Sequence, residues 1–380
     1  MSASKGKSSA SHAYVERLKR LRASMRALDV DHLLVSNPVD VGYLTGFLGG
    51  DSYLLVGPRK PLILSDRRYE EDLEAIRDTA TVKMRDGSMW ALVAELVSKL
   101  SSDGKLERLG VQPEHMTLAG MDGLKAALRK AKVGSKSITT ASGVVGSLRA
   151  VKDEGEIAAI RKAARVQEAA MLATRAELRP GMSEIEICAM LEEAMKSRGS
   201  SRPAFDTIVG AHANASRPHY HPAAAKTKNG KGLLIDWGAS VDGYRSDMTR
   251  CFCFGKWPRE LREIYGIVLD AHEAAAAALR PGARCADIDA VARDHIAKSG
   301  YGDNFGHSLG HGLGMDVHER PSLSRHAGDA ELEEGHVVTI EPGIYLPGVG
   351  GVRIEDDYAI TARGAKNLCS LPKDIDWATL

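Results

Sequence analysis

Along residues 13–28, AYVERLKRLRASMRAL, apolar side chains recur every three or four positions, the spacing that gathers one face of a helix. The pattern then shortens. DHLLVSN (31–37), DSYLLVG (51–57) and PLILSD (61–66) are brief apolar runs punctuated by Asn, Pro and Gly, which predicts strands separated by turns. RRYEEDLEAI (67–76) and MWALVAELVSKL (89–100) return to helical spacing, followed by a strand in LERLGVQ (106–112) and a helix in MDGLKAALRKA (121–131). Residues 2–10 are rich in Ser, Lys and Gly and read as a disordered tail. A small α/β domain over residues 1–147 is therefore expected.

From residue 148 the layout differs. The Ser/Gly-rich TTASGVVGSLRAVKDEGEI leads into one long helical pattern, residues 157–178, that Pro180 and Gly181 stop. SEIEICAMLEEAMKSRG (183–199) opens on Ser183 with Glu186 three residues later, a capping-box spacing, and further helices are predicted near 258–280 and 285–298. AFDTIVG, GLLIDWGAS, DMTRCFCF, HVVTIEPG and GGVRIEDDYAI read as strands. Helices and strands are segregated rather than alternating, so an antiparallel-rich α+β domain over 148–380 is favoured over a doubly wound parallel sheet.

Composition narrows the partners. With 51 basic and 50 acidic residues the formal net charge is +1, so no global field attracts nucleic acid or an anionic membrane. The N-terminus lacks the apolar segment of a secretory signal, and no run approaches the roughly 20 residues of a membrane span. A cytoplasmic protein, with neither nucleic-acid nor membrane partner, is the expectation. The five cysteines lack paired CxxC spacing and read as buried thiols, including Cys251 and Cys253, which would share one face of a strand.

The chemistry lies in acids placed inside apolar strands. Asp236 sits within LLIDWGAS, and Asp247 follows eleven residues later across a Gly-containing turn, so a hairpin would bring them together. Glu341 ends the run VVTIEPG and Glu355 follows Arg353 in GVRIEDD. A single such acid ordinarily caps a turn or pairs with an arginine such as Arg245 or Arg250. Four are another matter, because carboxylates in apolar settings need a cation or donors to offset desolvation. His311 lies between the pairs, flanked by Gly310 and Gly312, which leave room for backbone to approach a metal. Four carboxylates and one imidazole match the charge and ligand types of two divalent ions, with manganese preferred and cobalt, zinc or iron as alternatives. The glycine-rich HSLGHGLG lacks the GxxxxGK[ST] phosphate-loop pattern, and GxSxG is absent.

IDWGASVDGYRSDMTR, HSLGHGLGMDVHERP, TIEPGIY and GVRIEDD resemble, in order, the signatures of the creatinase/aminopeptidase family of the pita-bread fold. The resemblance implies a pita-bread catalytic domain preceded by a smaller creatinase-like α/β domain. It also implies that Asp236 holds the first metal, that Asp247 and Glu355 bridge both, and that His311 and Glu341 complete the second. His219 in ASRPHYHP, His307 and His318 are implied as pocket residues, with Arg353 supporting the site. An isolated histidine is ordinarily a satisfied core or turn residue, but His307 and His318 share one Gly-rich segment with a presumed ligand between them. A metal-bridging hydroxide would attack the scissile carbonyl, with Glu341 moving the proton and His318 and His219 serving the oxyanion or the amide beside proline. Methionine aminopeptidases of the family generally lack such an N-terminal domain, whereas Xaa-Pro aminopeptidases and proline dipeptidases carry one. The expected activity is therefore hydrolysis of Xaa-Pro bonds at peptide N-termini by a homodimeric Xaa-Pro aminopeptidase, with an Xaa-Pro dipeptidase as the alternative. Creatinase-like amidinohydrolysis and a non-catalytic binding module stand further off, since both are associated with loss of the metal residues.

Overall fold

In the computed structural model, residues 3–134 and 138–380 are described, with side chains from residue 12, and the chain divides into two units, Met1–Arg149 and Ala150–Leu380. The first unit is built on short apolar strands. Its elements are α1 (Ala3–Ala27), β1 (His32–Val35), α2 (Pro38–Thr45), β2 (Tyr53–Val56), β3 (Leu62–Ser65), α3 (Glu70–Glu74), β4 (Thr81–Met84), α4 (Met89–Ser102), β5 (Leu109–Val111), α5 (Leu118–Lys130), β6 (Ile138–Thr140) and α6 (Val144–Ala150). The strands form one mixed sheet in the order β4-β3-β2-β1-β5-β6. Val93 and Val97 of α4 and Leu124 and Leu128 of α5 pack with Leu34, Leu55, Leu64 and Val111 of that sheet.

Three segments of this unit depart from the sequence reading. Residues 3–10 continue α1 instead of forming a tail, and Ser2 lies outside the described residues. Once Leu18, Leu21 and Met25 are buried, a helix extends by one hydrogen bond for each residue added. NPVDVGYLT, where the Asn/Pro/Gly punctuation predicts only turns between strands, forms α2. Its signals were local: Asn37 accepts from the Val39 amide, Pro38 opens the helix, and Gly46 closes it at φ 84°. The Ser/Gly-rich stretch becomes helical at α6, where burial of Val145 and Leu148 outweighs weak helix propensity.

The second unit begins with α7 (Glu154–Glu177) and α8 (Glu184–Lys196), followed by β7 (Arg202–Pro203), β8 (Ile208–Ala211), β9 (Gly232–Trp237), β10 (Ala239–Val241), β11 (Tyr244–Arg245) and β12 (Met248–Cys253). It continues through α9 (Arg259–Ala278), α10 (Cys285–Lys298), β13 (Gly310–Gly312), β14 (Glu319–Leu323), β15 (Val337–Ile340), β16 (Gly343–Leu346), β17 (Gly350–Arg353), β18 (Asp356–Thr361) and β19 (Gly364–Asn367). The helices and strands form an α+β pita-bread fold. Strands β8, β9 and β12 form an antiparallel sheet covered on both faces. Leu233, Ile235 and Trp237 pack with Ala163 and Met171 of α7 and Ile187 and Leu191 of α8. Leu234, Cys251 and Cys253 point the other way and pack with Leu261, Ile264 and Val268 of α9. Asp236, two residues beyond Leu234, falls on this second face by the period of two in a strand. Cys251 and Cys253 share that face as buried thiols, and burial raises the Cys251 thiol to about 12.

A second antiparallel sheet runs β14-β13-β15-β18-β19, and β16 and β17 form a hairpin. GGVRIEDDYAI, read as one strand, is two. The chain leaves the β16 pairing after Arg353 and joins β15 from Asp356 and β19 from Tyr358, so Ile354 and Glu355 lie at the change of partner. There the Glu355 amide donates to Thr249 O at 3.2 Å, tying the break to β12.

Candidate active site

The expected hairpin forms: β9 and β12 pair antiparallel with Thr249 opposite Asp236, and Asp247 stands just before β12. His311 is the central residue of β13, and Glu341 follows the last residue of β15, its amide donating to Leu309 O at 2.8 Å. The glycines flanking His311 serve a neighbour other than a metal. A Cβ at Gly310 would stand 2.0 Å from Thr339 O, and one at Gly312 would stand 2.2 Å from Arg320 O, so the paired strands require the missing side chains.

All nine candidate residues line one cavity of about 570 Å³ in the second unit: His219, Asp236, Asp247, His307, His311, His318, Glu341, Arg353 and Glu355. Ligand atoms of Asp247, His311 and Glu355 lie within 4.8 Å of one another. His311 Nε2 is 3.3 Å from Glu341 Oε1 and 3.7 Å from Asp247 Oδ2. Asp236 instead faces Arg353, whose Nη2 donates to Oδ2, while Oδ1 is buried without a hydrogen-bond partner among the described residues. His221 also lines the cavity; His212, at φ 57°, lies outside its lining.

The protonation pattern follows from these contacts. Gly312 O lies 3.1 Å from His311 Nδ1, so that nitrogen carries the proton and donates. Burial, with His318 adding to it, lowers His311 to about 3, and its Nε2 lone pair consequently faces carboxylate oxygens. Acceptors converging on acceptors need a proton or a cation between them. Burial likewise raises Asp247 well above the carboxylate range, helped by the charges of Glu355, Asp236, Asp357 and Glu341, and raises Glu355, helped by Glu341 and Asp236 against the pull of Arg353 and the Thr249 hydrogen bond. Burial also brings Glu341 up to about 8 against the pull of Arg353. Oxygen ligands and one neutral imidazole suit a hard or borderline divalent ion, so the residues present fit the expected metal centre.

Around this cluster lies a set of donors that local patterning does not announce. Thr249 Oγ1 donates to Glu355 Oε2 at 2.6 Å and accepts from Arg353 Nε at 2.9 Å. Arg353 Nη1 donates to Tyr345 OH at 2.7 Å, and His307 Nε2 lies 2.8 Å from the same hydroxyl. The His307 Nδ1 proton is directed at Ser308 O, 2.8 Å away, so the Tyr345 hydroxyl donates to Nε2. Both ring nitrogens of His307 are thus engaged, and the ring braces Tyr345 and Arg353. The Asp247 amide donates to Asp357 Oδ2 at 3.1 Å. Tyr345, Thr249 and Asp357 were missed from sequence. All three lie inside the quoted IDWGASVDGYRSDMTR, TIEPGIY and GVRIEDD segments, and only that adjacency could have flagged them.

Stability should record the unneutralised cluster. A carboxyl held at about 8 retains its proton in the folded state while the unfolded state loses it near 4.5, so its contribution to stability is lost as pH rises towards 8. Buried His311, lowered to about 3, opposes this trend below 6.5, where unfolded imidazole binds a proton that the folded state does not. Metal-free protein is therefore expected to melt at a lower temperature at pH 8 than at pH 6.5, and saturating divalent ion should remove the difference. Equal melting temperatures in the metal-free protein would count against a self-repelling cluster.

Comparison with known proteins agrees with this architecture. Residues 158–362 match the model of metallopeptidase family M24, and residues 17–151 match the creatinase/prolidase N-terminal domain. An Xaa-Pro dipeptidase of Pyrococcus furiosus is 34% identical over 362 residues, 95% of this chain and 99% of the relative. Among solved structures, an Xaa-Pro dipeptidase from Bacillus anthracis superposes with a TM-score of 0.90 at 32% identity, covering 97% of this chain and 100% of that one. An X-Pro aminopeptidase from Thermotoga maritima gives 0.83 at 33% identity, covering 94% and 100%. The chain belongs to metallopeptidase family M24 and is a metal-dependent hydrolase. Among its described residues no helix is long and apolar enough to cross a membrane.

Proposed function

We propose that this protein is an Xaa-Pro dipeptidase. The observation that supports it is the unprotonated His311 Nε2 facing the oxygens of Asp247 and Glu341, in a chain that resembles an Xaa-Pro dipeptidase across 95% of its length. That likeness also moves the reading from aminopeptidase to the dipeptidase alternative.

Asp236 would hold one divalent ion, Asp247 and Glu355 both, and His311 and Glu341 the other. When bound, such ions supply a Lewis acid for the scissile carbonyl and an acidified water as nucleophile. Glu341 accepts the nucleophile's proton and returns it to the leaving proline nitrogen, which requires that its buried carboxyl first lose, to a bound cation, the proton it otherwise keeps up to about pH 8. Burial, with His219 adding to it, lowers His318, so near neutral pH the ring is uncharged and donates one hydrogen bond to the developing oxyanion. His219, also in the cavity lining, grips the substrate. Phe205, Ile208 and Pro218 offer the proline ring an apolar surface and exclude water. Manganese as the native ion, a homodimer and a cytoplasmic location complete the proposal.

Specificity tests it. After reconstitution with manganese, cobalt or zinc, Ala-Pro is expected to be cleaved with kcat/KM at least about tenfold above Ala-Pro-Ala, whose chain continues past proline. Ala-Ala-Ala, N-acetyl-Ala-Pro and creatine should be poor substrates. Proline lacks an N–H and has a fixed φ, a shape a pocket can select, and acetylation removes the amine that anchors the other end. Preference for Ala-Pro-Ala would restore the aminopeptidase reading, and preference for Ala-Ala-Ala or creatine would remove the prolyl one.

A further inference from the structure

Glu184 is the first residue of α8, where an acid ordinarily lies exposed and complements the positive end of the helix. Its neighbours perform that task. Ser183 Oγ accepts from the Glu186 amide at 3.3 Å, and Glu186 Oε2 accepts from the Ser183 amide at 2.7 Å, the capping box legible in the sequence. Glu184 is instead fully buried, and its carboxylate accepts four hydrogen bonds from a single stretch of chain. Oε1 accepts from the Ala211 amide at 2.7 Å and from Asn214 Nδ2 at 2.9 Å. Oε2 accepts from the Tyr220 hydroxyl at 2.9 Å and from the Ala223 amide at 3.0 Å. Asn214 Nδ2 also donates to the Tyr220 hydroxyl at 2.9 Å, closing the network.

A carboxylate suits this position because it offers acceptor directions on both oxygens and no donor. Glutamine would turn an NH₂ group towards two donors, and alanine would leave buried N–H groups unpaired. The stretch held this way is one wall of the cavity, through Pro218, His219, Tyr220 and His221. Its return is tied to the same helix start, where the Glu184 amide donates to Ala225 O at 3.0 Å and the Ile185 amide to Ala223 O at 3.2 Å. The His219 wall thus takes its position from an acid that is itself absent from the cavity lining.

We propose that Glu184 is a positioning residue for catalysis: its carboxylate sets the His219 segment of the cavity lining relative to the acid cluster and so fixes the space in which the dipeptide lies. This rests on the reading of His219 as a substrate-gripping group in an Xaa-Pro dipeptidase. Glu184 acts only through the loop.

The test uses Glu184→Ala and the milder Glu184→Gln in the full chain, with amide hydrogen exchange measured without substrate, followed by metal content and Ala-Pro kinetics. Residues 211–223 should exchange faster while β9, β12, β15 and β17 are unchanged, and metal content should equal that of the unsubstituted protein. kcat/KM should fall about ten- to a hundredfold in Glu184→Ala, the scale expected when a reacting geometry is displaced, with Glu184→Gln intermediate. Combined with His219→Ala, Glu184→Ala should add almost nothing further, since both act through one group. Unchanged exchange in 211–223 would overturn the proposal, as would faster exchange throughout the second unit or a loss that multiplies in full upon that of His219→Ala. If Glu184→Ala does not fold, Glu184→Gln, which keeps the volume and some of the bonds, decides the same outcomes. An unsubstituted protein that ignores Ala-Pro would refute the dipeptidase reading separately, and the exchange pattern would still decide Glu184.

Discussion

Asp247→Asn should abolish peptide hydrolysis, with kcat/KM falling about a thousandfold or more, beyond the ten- to hundredfold cost typical of residues outside the ligand shell. The position explains the size. Asp247 is buried just before β12, its carboxylate 3.7 Å from His311 Nε2 and its amide held by Asp357, so burial leaves the side chain little room to be replaced by water. An amide offers one neutral oxygen where two ions would share a carboxylate, so metal content after dialysis should fall as well. The same change should have the opposite effect on the metal-free fold. Burial raises Asp247, with Glu355 and Asp236 adding to it, so removing its charge relieves repulsion. The metal-free variant should melt higher than metal-free unsubstituted protein at pH 8, by roughly 2–4 °C for each kcal/mol relieved. Elemental analysis and calorimetry check both signs. A variant that keeps two ions and its activity would remove Asp247 from the proposed centre.

His318→Ala should lower kcat by about a hundredfold or more, the cost of losing one donor to a developing oxyanion, while metal content stays unchanged. The His318 ring stands 4.4 Å from that of His311, nearly edge-on at 76°, close to the proposed ions without belonging to the acid cluster. Because its hydrogen bond would strengthen only as charge develops, KM should move much less than kcat. The contrast with Asp247→Asn is the informative result, as one lesion removes metal and the other leaves it. Unchanged kinetics would make His318 a rim residue, and lost metal would make it a ligand.

Much of the architecture was legible because its signals are local. The helical spacing of 157–178 became α7, the Ser183–Glu186 capping box forms, and Pro180–Gly181 falls between α7 and α8. Asp236 and Asp247 were notable because acids interrupt apolar strands, and a Gly-containing turn between two strands brings its flanks together whatever surrounds it. Tertiary packing decided the elements whose local preference is weak. Glycine-rich 310–312 becomes a strand because the missing Cβ atoms admit Thr339 O and Arg320 O from its two neighbours, a reason visible only after the sheet has formed.

The divide at the site has the same cause. Residue type and spacing along the chain determined which side chains could ligate a metal, since a carboxylate in an apolar run carries its desolvation cost wherever the run is placed. Which groups answer that cost was decided by the fold alone. Arg353 reaches Asp236 from 117 residues away, Thr249 reaches Glu355 from 106, and Glu184 gathers donors 27 to 39 residues downstream. Partners that far apart leave no period, cap or turn in the chain between them. They meet because two sheets and the helix pair α7 and α8 are packed together, and packing integrates over residues that no local window contains.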